Sequence, residues 1–134
     1  MKYVIGLLLP FLLIACVAND HWEGFSTAEV MRWKELGLQE RTAQKYQANG
    51  LSAMEVQAWM NQGFVDQDNV ILWSKSRFNP VEAKIWRDAG FDLDEAKAWA
   101  SENFTAMEAT NWKMQDFTLT QAVRERAKGL SPTR

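Results

Sequence analysis

The sequence predicts an all-α fold in which about eight short helices form a right- or left-handed solenoid or a compact bundle. Three observations predict it: a 13-residue repeat from residue 26 to residue 130, a helix-capping residue at the start of nearly every unit, and an aromatic side chain at the eighth position of seven units. Helices this short are marginal alone in water, so neighbouring units must bury one another's apolar faces.

Each repeat unit carries its own start and stop signals. The units begin at Ser26, Gln39, Ser52, Asp66, Asn79, Asp92, Thr105 and Thr118, and Val65 is one extra residue between the third and fourth units. A Glu or Gln three residues later predicts a capping box in six units, at Glu29, Glu55, Glu82, Glu95, Glu108 and Gln121. Position 12 is mostly Gly, which suits a left-handed residue after the helix. Each unit is therefore expected to form a helix of about nine residues.

Two aromatic columns follow from this capping geometry. Position 8 holds Trp33, Tyr46, Trp59, Trp73, Trp86, Trp99 and Trp112, and position 13 holds Leu or one of Phe64, Phe78, Phe91, Phe104 and Phe117. A Schellman motif predicts that Trp86 touches Phe91, and a hydrophobic staple predicts that Phe91 touches Ala96. Spacing alone accounts for these residues as the core of the repeat. The alternative is an aromatic ladder that stacks on sugars or peptides, which needs several exposed Trp faces.

Position 7 suggests that the central helices are buried on a second side. It is apolar in the four central units, at Ala58, Leu72, Ile85 and Ala98. In the outer units it is polar, at Arg32, Lys45, Asn111 and Arg124. The last unit has Glu125 in place of the aromatic residue of position 8, as expected of a terminal repeat.

Residues 1–15 have the features of a signal peptide. Lys2 gives a positive start, and the stretch from Tyr3 to Ile14 is almost wholly apolar but shorter than the roughly 20 residues that cross a bilayer as a helix. The stretch ends in Leu13-Ile14-Ala15-Cys16, which resembles the lipobox of bacterial lipoproteins. The alternative is an ordinary secretory signal that contains a cysteine by accident.

The lipobox resemblance implies that cleavage falls between Ala15 and Cys16 and that Cys16 is acylated. Two or three acyl chains would anchor the chain stably in a membrane. Val17 stands where an Asp retains enterobacterial lipoproteins in the inner membrane, so the resemblance implies the periplasmic face of the outer membrane. The chain is thus divided into a signal peptide (1–15), a lipidated tether (16–25) and a repeat domain (26–134).

The sequence leads us to expect no enzymatic activity and no cofactor. The single histidine, His21, lies in the tether, and the acidic runs from Asp66 and from Asp92 lack the Gly and closing Glu of a calcium loop. No phosphate loop or Cys/His cluster is present in the sequence. The formal net charge of −2 gives no electrostatic basis for binding nucleic acid.

The repeat unit resembles the tandem GF-(S/T/D)-x-x-E-A-x-x-W repeats of bacterial proteins, and the likeness covers residues 26–130. No activity follows from that resemblance. We expect a lipid-anchored, non-enzymatic protein that binds a protein partner in the cell envelope, for example as an assembly factor that acts like a pilotin. The alternative is a lipoprotein that binds peptidoglycan or another glycan through exposed Trp.

Overall fold

The computed structural model describes residues 22–132, and within that range the chain is helical and contains no strand. It confirms the all-α repeat fold, because each helix begins one residue after the start of its repeat unit. The helices are α1 (Thr27–Glu35), α2 (Glu40–Ala48), α3 (Ala53–Asn61), α4 (Gln67–Lys75), α5 (Pro80–Asp88), α6 (Leu93–Ser101), α7 (Ala106–Lys113) and α8 (Leu119–Ala127). The predictions for Ala15, Cys16 and His21 lie outside the described residues.

The helix starts follow the predicted capping pattern with one exception. Capping boxes form in five units, which begin at Ser26, Ser52, Asn79, Thr105 and Thr118. The sixth predicted box, between Asp92 and Glu95, was wrong. Asp92 accepts a hydrogen bond from the Glu95 backbone, but the Glu95 carboxylate accepts one from Lys113 Nζ at 2.7 Å. The Glu95 side chain therefore pairs with a lysine of the next unit instead of completing the capping box.

The helix ends are Schellman motifs, as the position 12 column predicted. The residue at this position has positive φ in all eight units, including the non-glycine residues Arg77, Asn103 and Asp116. In the fifth unit the Phe91 N–H donates to the Trp86 carbonyl at 3.1 Å. The two rings meet edge to face with their centroids 5.0 Å apart, which confirms the predicted contact.

The helices alternate between two rows. α1 packs against α3 and α2 packs against α4, and the consecutive helices α6 and α7 contact each other across the two rows. Lys45 of α2 donates to Asp68 of α4 at 2.6 Å, and Arg87 of α5 reaches the carbonyl groups that follow α3. Helices of one row are thus two repeat units apart. We call α1, α3, α5 and α7 the odd row and the other four helices the even row.

The core is a chain of aromatic rings flanked by small side chains. Rings of positions 8 and 13 alternate edge to face from Trp59 to Phe104, with centroids 5.0 to 6.5 Å apart. The Ala or Val of position 5 is completely buried in the second to eighth units. Trp22 and Phe25 also pack against this core, so two residues that the sequence assigned to the tether belong to the fold.

The predicted second buried side at position 7 was wrong. Leu72 and Ile85 are 52 % and 55 % exposed, Ala58 is exposed, and only Ala98 is half-buried. At about 100° per residue, position 7 lies roughly 200° from the buried position 5, on the outer side of its helix. Each helix therefore has one buried face, and its apolar residues at position 7 face solvent.

Candidate functional site

A cation at position 9 closes the end of the helix two units earlier. Arg87 lies over the Phe64 ring, with its guanidinium carbon 4.3 Å from the ring centroid. Its Nη1 donates to the Gly63 carbonyl at 3.2 Å and its Nη2 to the Gln62 carbonyl at 3.0 Å. One guanidinium thus stacks on an aromatic ring and satisfies carbonyl oxygens at the negative end of a helix.

The same arrangement recurs towards the C-terminal end of the chain. The Arg126 guanidinium carbon lies 3.7 Å from the Phe104 ring centroid, and its nitrogens donate to the Glu102 and Asn103 carbonyls. Lys113 Nζ lies 4.7 Å from the Phe91 ring centroid. We refer to such a ring, the two preceding carbonyl groups and the side chain that covers them as a cation slot.

Among residues 22–132, two rings of position 13, Phe78 and Phe117, have no cation over them. None of the eight units lies two units after Phe117, whereas position 9 two units after Phe78 is Ala100, and we call the site at Phe78 the open slot. A cleft of about 720 Å³ opens there, and its lining includes Ser76, Arg77, Phe78, Trp86 and Ala100. Phe78 is only half-buried, whereas the rings of the three filled slots are 4 to 5 % exposed. The cleft therefore lies where a methyl group replaces a long cationic side chain.

An acidic side chain stands at position 4 of the intervening unit in two of the three filled slots, and Asn69 stands there in the slot of Arg87. Glu95 pairs with Lys113, and the positive charge of Arg126 helps to lower the pKa of Glu108, after the larger effect of its hydrogen bonds with Thr105. The equivalent residue at the open slot is Glu82, which lines the cleft. The lining also contains Arg77 and Lys97, so it carries charges of both signs.

The outer surface of the odd row is apolar beside this cleft. Of the six residues at positions 3 and 7 of α3, α5 and α7, five are apolar and exposed, and the sixth is Asn111. The five are Met54, Ala58, Val81, Ile85 and Met107. These five residues form what we call the odd-row face. The same positions of the even row are mostly polar, and they include Arg41, Lys45, Asp68, Asp94 and Arg124. Ile85 belongs to the odd-row face and also lines the cleft.

The residues named from the sequence divide into two groups. The aromatic residues of positions 8 and 13 lie in the core or pack against it, and Cys16 lies outside the described residues. Sequence reasoning missed the cation slots and the odd-row face. The available signal was a Lys or Arg at position 9, two units after a Phe at position 13, as in the pair of Phe64 and Arg87.

Comparison with protein-family models, with curated proteins and with solved structures finds no match for this chain. None of the helices in residues 22–132 is long and apolar enough to cross a membrane. Among the same residues, no group of three or more His, Cys, Asp or Glu side chains is placed to hold a metal ion.

Proposed function

We propose that this chain is a lipid-anchored, non-enzymatic repeat protein that binds a protein partner in the bacterial cell envelope, in the manner of a pilotin-like assembly factor. The single observation that carries the proposal is the odd-row face. Met54 and Met107 are 65 % and 73 % exposed on the same row as Val81 and Ile85. Several large apolar side chains exposed on one side of a domain are typical of an interaction site.

The asymmetry between the rows supports binding on one side. Because consecutive helices belong to different rows, the repeat places apolar residues at position 3 in every second unit from Met54 to Met107. Asp68 and Asp94 occupy that position in the helices between them. Methionine side chains are flexible and adapt to the shape of a partner, which suits them to such a surface.

The proposed membrane anchor is the lipid on Cys16, which the lipobox resemblance implies. Because Trp22 already packs on the core, only residues 17–21 separate the proposed lipid from the fold. Five extended residues span at most about 18 Å. The odd-row face would therefore work close to the membrane surface, at the periplasmic face of the outer membrane in a Gram-negative host.

A glycan-binding role through stacked Trp faces has no comparable support. The six Trp residues at position 8 are 2 to 5 % exposed, because each ring is enclosed by the neighbouring units. Only Trp22, at the start of the described chain, is half-buried.

Crosslinking in cells, followed by purification and mass spectrometry, tests the proposal. The test variant changes Met54, Val81 and Met107 to Ser, and the matched control changes Arg41, Asp68 and Thr120, at position 3 of the even row, to Ser. We expect one envelope protein to be crosslinked by the wild type and by the control, and to be lost from the test variant. An unchanged crosslink in the test variant, or recovery of peptidoglycan alone, would overturn the proposal.

Mass spectrometry of the mature N-terminus tests the anchor separately. We expect the chain to begin at Cys16 and to carry the mass of a diacylglyceryl group, with or without an additional acyl chain. A mature N-terminus at another residue, or an unmodified Cys16, would contradict the lipid anchor.

A further inference from the structure

We propose that the cleft beside Phe78 binds an arginine side chain of the partner protein, whose guanidinium occupies the place that Arg87 and Arg126 hold in the other slots. This inference deepens the proposed docking role. It rests on that role, because the proposed function is what makes the partner a protein. The protein's own repeats indicate the chemistry of the ligand. In two of them the same arrangement of ring and carbonyl groups binds a guanidinium group, that of Arg87 or Arg126.

The open slot has each part of a filled one except the cation. Phe78 supplies the ring, and the Ser76 and Arg77 carbonyls take the places of Gln62 and Gly63. No side chain of residues 22–132 donates a hydrogen bond to either carbonyl group. Glu82 supplies the carboxylate, as Glu95 does for Lys113. A cation at this place therefore finds a ring face, two acceptors and a negative charge together.

The shape of the cleft suits a side chain that enters from outside. Its volume of about 720 Å³ lies within the range of ligand-binding pockets, and it is open to solvent next to Ile85 of the odd-row face. A partner that covers the odd-row face can therefore extend a side chain into the cleft without a rearrangement of the helices.

Guanidinium fits this slot better than ammonium. It is planar, so it can stack on Phe78 while its edge donates to both carbonyl groups, as Arg87 does. Lys113 shows the difference, since its single nitrogen lies over Phe91 and donates to Glu95.

Arg77 and Lys97 restrict the sequence around the arginine. Both are cationic and line the cleft, so an isolated cation meets a like charge there. A carboxylate next to the arginine in the ligand would be attracted to these two side chains. The preferred ligand is therefore an arginine flanked by an acidic residue.

The test is a titration of the full chain, held in detergent micelles, with the peptide acetyl-Glu-Arg-Gly-amide, followed by the NMR signal of the Trp86 indole N–H. Trp86 lines the cleft and therefore reports on its occupant. The control peptide contains citrulline, which has the shape of arginine without its charge. We expect a saturable shift with a dissociation constant in the millimolar range, and binding at least tenfold weaker for citrulline. Equal shifts from the two peptides, or no shift from the arginine peptide, would overturn the inference.

Two variants link the signal to the slot. Ala100→Arg supplies the missing cation from within the chain, so we expect it to abolish peptide binding and to raise the Tm. Glu82→Gln keeps the capping box, as Gln121 does in the eighth unit, and removes the charge. We expect it to weaken binding severalfold, while Glu55→Gln, in a box away from the cleft, leaves binding unchanged. Undiminished binding by Ala100→Arg or by Glu82→Gln would overturn the inference.

This titration and the crosslinking experiment can fail independently. If the arginine peptide does not bind while the odd-row variant loses its crosslink, the docking role stands and the arginine slot is wrong. If the peptide binds while the crosslink is unaffected by the odd-row variant, the docking role through that face is wrong.

Discussion

The guanidinium carbon of Arg126 lies 3.7 Å from the centroid of the Phe104 ring, although the two residues belong to α8 and to the turn after α6. Arg87 and Phe64 repeat the relationship between α5 and the turn after α3. Each contact joins two units of the same row across the unit between them in the sequence. The rows are therefore held by polar side chains at their edges as well as by the aromatic core.

Removing a slot cation should destabilise the fold. We expect Arg87→Ala and Arg126→Ala each to lower the free energy of unfolding by about 1 to 2 kcal/mol, because each loses a ring contact and hydrogen bonds to carbonyl groups. Urea denaturation followed by circular dichroism measures the change. Arg41→Ala is the matched control, since Arg41 is exposed on the outer side of α2, and it should change stability by less than about 0.5 kcal/mol. A loss no larger than that of the control would contradict the role of the slot.

Features contained within a single unit could be predicted from the sequence, and features that join two units could not. Asn79, Pro80 and Glu82 specify the start of α5, and Gly90 with Phe91 specifies its end, because these residues act within one turn of the helix. Arg87 and Ala100 stand in a column that looks variable when the units are aligned. Its meaning depends on the side chain two units earlier, which only the two-row packing brings into contact.

The error at position 7 has a similar origin. Leu72 and Ile85 look like core residues because they are large and apolar in the middle of the chain. A helix that packs on one side only leaves them exposed, and the number of buried sides depends on how the units stack. The Glu95 side chain was assigned to its own unit for the same reason, although Lys113 of the next unit holds it.

Glycine should stabilise the fold at position 12 where another residue now stands. Arg77 has a φ of 68°, in the left-handed region that costs an ordinary side chain about 1 to 2 kcal/mol. We expect Arg77→Gly to raise the free energy of unfolding by about 0.5 to 1 kcal/mol, after the greater chain entropy of glycine in the unfolded state is subtracted. Asn103→Gly should raise the free energy of unfolding by less, because Asn tolerates the left-handed conformation. Thermal denaturation of both variants measures the change in stability. A lower stability of Arg77→Gly would contradict the expected gain from glycine at position 12.

The capping boxes should make stability depend on pH in the acid range. Hydrogen bonds from Ser52 lower the pKa of Glu55 below its ordinary value of 4.5, and those from Thr105 lower the pKa of Glu108. A carboxylate whose pKa is depressed by folding stabilises the folded state fully above its unfolded pKa, and this contribution is lost as the pH falls through the lower folded value. We therefore expect the Tm to fall as the pH is lowered from about 5 to 3.

Glutamine variants separate this effect from other acid-sensitive groups. Gln121 makes a capping box without a charge, so Glu55→Gln and Glu108→Gln together should keep α3 and α7 capped. The double variant should show a shallower fall of Tm with acid than the wild type. Identical slopes between pH 5 and pH 3 would show that these two boxes do not carry the pH dependence.

The energetic difference between a filled and an open slot can be measured by a double-mutant cycle. Phe91→Ala should cost about 3 to 5 kcal/mol, because its ring is buried under Lys113 and between Trp86 and Trp99. Phe78→Ala should cost less, since its ring is half-buried beside the cleft. In an Ala100→Arg background the Phe78→Ala substitution should cost more than in the wild type, by about 0.5 to 1 kcal/mol, because the ring then carries a guanidinium. Equal costs in the two backgrounds, measured by urea denaturation, would show that arginine at position 100 does not stack on Phe78 and that the cleft is not equivalent to the slots of Arg87 and Arg126.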